Sequence, residues 1–156
     1  MLEEEVGILL KKHKKTLALA ESCTGGLIAN RITNISGSSD YFGTGIVAYS
    51  DETKMKVLHV PKDILERFGA VSAETAKAMA EGVKDLAEAD IAVSTTGLAG
   101  PTGATPTKPI GLVYIGLSTP KGTKIKEFHF KGDRAEIKRK ASEEALRMVR
   151  DYLEKM

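Results

Sequence analysis

Short runs suited to β-strands alternate with amphipathic segments along most of this chain of 156 residues. The runs that predict strands are Thr16–Ala20, Gly43–Ser50, Asp90–Thr95 and Gly111–Ser118. The last of them is nearly all apolar, as expected of a central strand that is covered on both faces. Strands and helices that alternate in this way indicate an α/β domain whose sheet lies between layers of helices.

The segments around these strands carry apolar residues at helical spacing. They predict a helix over residues 2–14, a longer helix capped by Ser72 and a last helix that begins at Asp133. Shorter helices are predicted from Leu27, over Asp51–His59 and over Pro61–Phe68. No linker is long enough to separate two domains, so we expect residues 1–156 to form a single domain.

A turn signal over residues 120–122 precedes a fifth, less regular strand. We expect this strand to pair with the one before it as an antiparallel hairpin, which makes the sheet mixed. Ile125 is out of phase with Phe128 and Phe130, and a β-bulge would reconcile them. The predicted fold is therefore a three-layer α/β/α sandwich with a mixed, mostly parallel sheet.

The charge and cysteine content exclude several kinds of protein. Lys and Arg number 23 and Asp and Glu 21, a balance too even for binding nucleic acid or an acidic membrane through bulk charge. No apolar run approaches the ~20 residues needed to cross a bilayer, and the start of the chain lacks a signal-peptide pattern. The single cysteine, Cys23, forms no internal disulfide, and no Cys or His cluster has metal-ligand spacing. We expect a cytoplasmic protein with no metal site.

The first candidate site is the loop of sequence ESCTGG, between the first strand and a helix. In open α/β sheets ligands bind beyond the carboxyl ends of strands, where the Ser22 hydroxyl could face a substrate. Backbone N–H groups around Thr24, Gly25 and Gly26 could stabilise an oxyanion, and the glycines would let the backbone approach a ligand. The alternative is that Ser22 or Thr24 only caps the helix. Cys23 is a rival nucleophile, but no histidine motif is present to activate it.

A second candidate pair lies where another strand runs into another helix. Lys54 falls in the first turn of that helix and Tyr49 at the end of the strand, so both could line the same rim. A serine amidase without a histidine needs a neutral amine as its base, and a lysine supplies one if loss of water lowers its pKa. The alternative is that Lys54 is an ordinary solvated lysine.

The third candidate is a loop rich in Gly, Thr and Pro over residues 95–106. Its threonines and its glycines, among them Gly97 and Gly100, suit a phosphate bound by hydroxyls and backbone N–H groups. No GxxxxGK[ST] motif is present, so this loop is not a P-loop. The alternative is a flexible surface loop without a ligand.

Taken together and in order, these motifs resemble the CinA C-terminal-domain family, the PncC-type nicotinamide-nucleotide amidases. The resemblance runs from about Thr16 to the last helix. The motifs that carry it are AESCTGG at Ala20–Gly26, SGSS at Ser36–Ser39, Tyr49-Ser50 with Lys54, GAVS at Gly69–Ser72, TGLAGP at Thr96–Pro101 and KPIG at Lys108–Gly111.

The resemblance implies hydrolysis of nicotinamide mononucleotide to nicotinate mononucleotide and ammonia, without a metal or organic cofactor. It implies that Ser22 is the nucleophile, Lys54 its general base and Tyr49 an assistant in the proton relay. Thr96 matches a polar residue near the substrate, and Arg134, in the family's Gly-Asp-Arg sequence, is a candidate phosphate contact. A homo-oligomer is implied as well. The alternative, from a different class, is a regulatory module that binds pyridine nucleotides without turnover.

Some features differ from the family pattern. Many relatives carry an N-terminal molybdopterin-cofactor-like domain associated with ADP-ribose pyrophosphatase activity, which this sequence lacks, so we do not expect that activity here. Thr105 and Thr107 stand where relatives often have Ser and Glu, a difference that bears on substrate preference.

Overall fold

Six α-helices, a short 3-10 helix (Ser38–Asp40) and five β-strands make up the structure, a computed structural model that describes residues Met1–Met156. Along the chain they are α1 (Leu2–His13), β1 (Leu17–Glu21), α2 (Leu27–Thr33), β2 (Phe42–Val47), α3 (Asp51–Leu58), α4 (Lys62–Phe68), α5 (Ala73–Ala87), β3 (Ile91–Gly97), β4 (Leu112–Thr119), β5 (Gly122–His129) and α6 (Arg134–Glu154). All the predicted helices and strands are present, with ends that differ by a few residues. None of the helices combines the length and the apolar character that crossing a membrane requires.

The five strands form one sheet in the order β2-β1-β3-β4-β5. β1 pairs in parallel with β2 and with β3, whereas β4 is antiparallel to both of its neighbours, β3 and β5. β4 is thus the only strand that runs against the other four, and the sheet is mixed but mostly parallel in direction.

Side chains that alternate along the central strands supply two separate apolar layers. In β1, Leu17 and Leu19 pack in a cluster with α1, α2 and α6, while Ala18 and Ala20 pack in a second cluster with α3, α4 and α5. Helices therefore cover both faces of the sheet, and the predicted three-layer α/β/α sandwich is confirmed.

The last strand contradicts one prediction. The pairing of β5 with β4 is continuous along its whole length, so the expected β-bulge is absent. Ile125 lies opposite Gly116 on the face covered by α5, whereas Phe128 and Phe130 pack with the cluster on the α6 face. These side chains are out of phase because each face of this edge strand contacts a different helix layer.

Three strand ends position the residues of interest. Because β1, β2 and β3 are parallel, their carboxyl ends lie side by side, and the loops that follow them are neighbours. Backbone hydrogen bonds extend the pairing into these loops. The Ser22 N–H donates to the Thr95 carbonyl at 3.0 Å, and the Ala48 N–H donates to the Glu21 carbonyl at 2.9 Å.

Candidate active site

Ser22 and Lys54 meet at the carboxyl end of β1. Ser22 follows the strand directly, and the Lys54 Nζ donates a hydrogen bond to the Ser22 Oγ at 3.2 Å. Both residues are buried, with exposed fractions of 8% for Ser22 and 1% for Lys54. A loop residue and a helix residue 32 positions apart in sequence thus bring an alcohol and an amine within hydrogen-bonding distance.

Burial changes the acid–base chemistry of Lys54. Loss of hydration lowers the pKa of its side chain below the usual range, against an opposing effect of the nearby Asp51 carboxylate. The Nζ also donates to the main-chain oxygen of Tyr49 at 3.2 Å, and Ser50 fixes the start of α3 because its Oγ accepts from the Thr53 N–H at 3.1 Å. A lysine whose pKa is lowered loses its proton more readily, and the uncharged amine can accept a proton from an alcohol.

The start of α2 is held by a side chain that the sequence analysis did not assign. The Glu21 carboxylate, 1% exposed, accepts hydrogen bonds from the N–H groups of Gly26 (3.2 Å), Ile28 (3.0 Å) and Ala29 (3.0 Å). No hydroxyl of the loop caps the helix, so the alternative of a capping Ser or Thr is wrong. The only sequence signal for this role was a carboxylate next to the candidate serine.

The backbone of the loop offers fewer free donors than the sequence predicted. The Gly25 N–H donates to the Ser22 carbonyl at 3.1 Å, and the Gly26 N–H donates to the capping carboxylate. Both glycines have positive φ angles, 59° and 101°, which other residues rarely adopt. The N–H groups of Cys23 and Thr24 donate to no acceptor of the chain. Because Cys23 lines the cavity and Thr24 is fully buried, the Cys23 N–H is the donor left for a ligand beside Ser22.

The side chains of Cys23 and Thr24 are poorly suited to act on a ligand. The Thr24 hydroxyl shares a 2.8 Å hydrogen bond with the Thr95 hydroxyl in the core. Burial raises the pKa of the Cys23 thiol to about 11, so the thiolate is scarce at neutral pH. Ser22 is therefore the better placed nucleophile, and Thr24, which is fully buried and does not line the cavity beside Ser22, does not take the ligand-binding position expected from the sequence.

A cavity of about 280 Å³ opens beside Ser22. Its walls come from the loops after β1, β2 and β3, from Ala70 ahead of α5 and from Arg134 at the start of α6. Thr96 lines it but donates its hydroxyl to the Ala70 carbonyl at 2.7 Å. Gly97 also lines it, where a Cβ would approach the Leu112 carbonyl to 2.6 Å. No group of three or more His, Cys, Asp or Glu side chains is arranged to hold a metal ion.

Arg134 connects two walls at the mouth of this cavity. Its Nη1 donates to the Gly100 carbonyl at 2.7 Å and its Nη2 to the Tyr49 hydroxyl at 3.0 Å. Tyr49 is 61% exposed. Its hydroxyl contacts Arg134, whereas its main-chain oxygen contacts Lys54. That the Tyr49 hydroxyl takes part in a proton relay remains a prediction.

Comparisons with known proteins agree on one family. The family model of the CinA C-terminal domain matches residues 1–153. A relative from Thermoanaerobacter sp. (strain X514), named as competence-damage inducible, is 53% identical over 152 residues, which cover 97% of this chain and 37% of that protein. A CinA-like protein from Sulfurihydrogenibium sp. (strain YO3AOP1) is 49% identical over 152 residues, 97% of this chain and 38% of that protein. The chain thus spans little more than a third of the length of these relatives.

A solved structure extends the agreement to the whole fold. The crystal structure of a CinA superfamily protein from Klebsiella pneumoniae 700603 superposes with a TM-score of 0.96 at 31% sequence identity. The superposition covers 99% of this chain and 97% of that one.

Proposed function

Because the chain belongs to the family of CinA C-terminal domains, we propose that it deamidates nicotinamide mononucleotide to nicotinate mononucleotide and ammonia. Ser22 is the nucleophile and Lys54 its general base. The observation that carries the proposal is the 3.2 Å contact between the Ser22 Oγ and the buried Lys54 Nζ at the wall of a cavity. A lysine whose pKa is lowered by burial suits the base of a serine amidase that has no histidine.

The first half of the reaction forms an ester on Ser22. Uncharged Lys54 takes the hydroxyl proton while the Ser22 Oγ attacks the carboxamide carbon of the nucleotide. The tetrahedral intermediate then breaks its C–N bond, and protonated Lys54 gives the proton to the leaving nitrogen, so that ammonia departs. The main-chain oxygen of Tyr49 keeps the Nζ in place through both transfers.

The oxyanion of that intermediate needs donors close to Ser22. The N–H group of Cys23 is suited to this task because Cys23 lines the cavity and no acceptor of the chain occupies this donor. A preformed donor of this kind contributes about 3 kcal/mol of transition-state stabilisation.

The second half of the reaction returns the free enzyme. Lys54 removes a proton from water, which attacks the ester carbon, and the Ser22 oxygen leaves with the proton. The 5′-phosphate of the nucleotide meets Arg134 and the loop that contains Gly97 and Gly100 at the mouth of the cavity. Binding energy from this remote anion helps to orient the amide.

An ammonia-release assay tests the proposal against a panel of nicotinamide mononucleotide, nicotinamide riboside and free nicotinamide. We expect release from the mononucleotide and much less from the two compounds without a phosphate. Lys54→Met should lower the rate by about 10²–10⁴-fold, the usual contribution of a general base. The matched control is Lys56→Met, on the same helix, where the side chain is 77% exposed.

The same samples separate the enzyme from a regulatory module that only binds the nucleotide. Nicotinamide mononucleotide raises the melting temperature in both cases. Stabilisation without any ammonia would contradict the amidase and favour the module.

A further inference from the structure

Two residues of opposite charge line the cavity without meeting each other. Arg134 is engaged at the mouth by Gly100 and Tyr49. Asp51, the first residue of α3, lines the same cavity, yet its carboxylate makes no ion pair within the chain. The cavity therefore has one acidic wall and one basic wall.

A general effect of helix ends does not account for the position of Asp51. A carboxylate in the first turn is stabilised by the helix dipole, but the adjacent Glu52, which is exposed like Asp51 and paired with Lys56 at 3.4 Å, supplies the same effect. Asp51 also raises the pKa of Lys54, which opposes the role of that lysine as a base. The Asp51 carboxylate thus lines the cavity without an ion-pair partner of its own, and a cationic ligand would give it one and offset its effect on Lys54.

We propose that Asp51 determines the specificity of the site by pairing with the positively charged pyridinium ring of the substrate. This inference rests on the proposed amidase function and adds the residue that recognises the positive charge of the substrate's ring. Asp51 and Lys54 are three residues apart on α3 and share one face of that helix. A ring whose carboxamide reaches Ser22 therefore lies beside Asp51.

The charge pair has two consequences for the reaction. A partly hydrated carboxylate favours a cationic ring over a neutral one of the same shape by about tenfold. The bound ring also offsets the effect of Asp51 on Lys54, because a positive charge close to a lysine favours the uncharged amine.

Two ligands isolate the charge of the ring. Nicotinamide mononucleotide carries the cationic pyridinium, and the 5′-phosphate of benzamide riboside carries a neutral benzene ring with the same carboxamide, ribose and phosphate. Dissociation constants for both are measured by calorimetry on the Ser22→Ala chain, which prevents turnover. The measurements are repeated after adding Asp51→Asn or the control Glu52→Gln, and ammonia release is followed in the matching chains that retain Ser22.

We expect Asp51→Asn to weaken binding of nicotinamide mononucleotide by about tenfold and to leave the dissociation constant of the benzamide nucleotide unchanged. The preference for the cationic ring over the neutral ring would then be lost. Glu52→Gln should change neither constant. The proposal is overturned if the ratio of the two constants is the same with Asp51→Asn, if Glu52→Gln lowers it as much, or if nicotinamide mononucleotide does not bind. A preference that depends on Asp51 in a chain that releases no ammonia would support the role of Asp51 and reject the amidase.

Discussion

Replacement of Glu21 by Gln removes a buried charge and one acceptor at the start of α2. In the wild type, Oε1 accepts from the N–H groups of Gly26 and Ile28, and Oε2 accepts from that of Ala29. The carboxamide of Gln has one oxygen, so its NH₂ group faces a backbone donor that has no other partner. The unsatisfied donor costs about 1–3 kcal/mol, and the lost attraction to the helix dipole adds about 0.5–1 kcal/mol. We therefore expect Glu21→Gln to lower the free energy of unfolding by about 1.5–4 kcal/mol.

Urea unfolding followed by circular dichroism measures this loss. The control is Glu74→Gln, in the first turn of α5, where the glutamate is exposed and accepts no hydrogen bond; we expect a change within about 0.5 kcal/mol. Because Glu21 adjoins Ser22, the rate of ammonia release at saturating substrate should fall as well. A Glu21→Gln chain as stable as the control would refute the idea that this carboxylate organises the loop.

Three further substitutions test other parts of the site. Lys54→Met, which should lower ammonia release by about 10²–10⁴-fold, should also stabilise the fold by about 1–2 kcal/mol at neutral pH, because a buried charge is removed. Because the pKa of Lys54 is lowered in the folded state, the free energy of unfolding of the wild type rises as the pH increases towards 10.5, the value for an unfolded lysine. Unfolding measured at increasing pH should therefore show a shrinking difference in stability between Lys54→Met and the wild type. Cys23→Ala should retain most of the ammonia release, since the thiol stays protonated; loss of turnover with an intact fold would make Cys23 the nucleophile. Arg134→Ala should raise KM for nicotinamide mononucleotide by about tenfold or more, with kcat less affected, because it removes a positive charge from the mouth of the cavity. An unchanged KM would show that the phosphate does not bind at Arg134.

The alternation of strands and helices was sufficient to predict the layers of this fold. The prediction of a β-bulge in β5 was wrong. Ile125 and Phe128 do not follow the alternation of a strand with one apolar face, because helices lie on both faces of this strand. Local periodicity reports how a strand is covered only when one face is polar. The missing information was the position of α5 and α6, which depends on distant parts of the chain.

The site was predictable as far as it depends on strand ends. Ser22 and Lys54 each follow a parallel strand, so topology alone favours their meeting at one edge of the sheet. The capping role of Glu21 was not predictable, because it depends on how the loop folds back to bring three N–H groups to one carboxylate. The direction of the Tyr49 hydroxyl towards Arg134 depends on side-chain packing in the same way.

The most direct test of the central claim is the rate of ammonia release from saturating nicotinamide mononucleotide by Ser22→Ala, compared with the wild type. Removal of a nucleophile that works as a unit with its base should lower this rate by at least about 10³-fold. The melting temperature of the variant should stay close to that of the wild type, since only one hydroxyl is lost. A Ser22→Ala chain that turns over at nearly the wild-type rate would contradict the account.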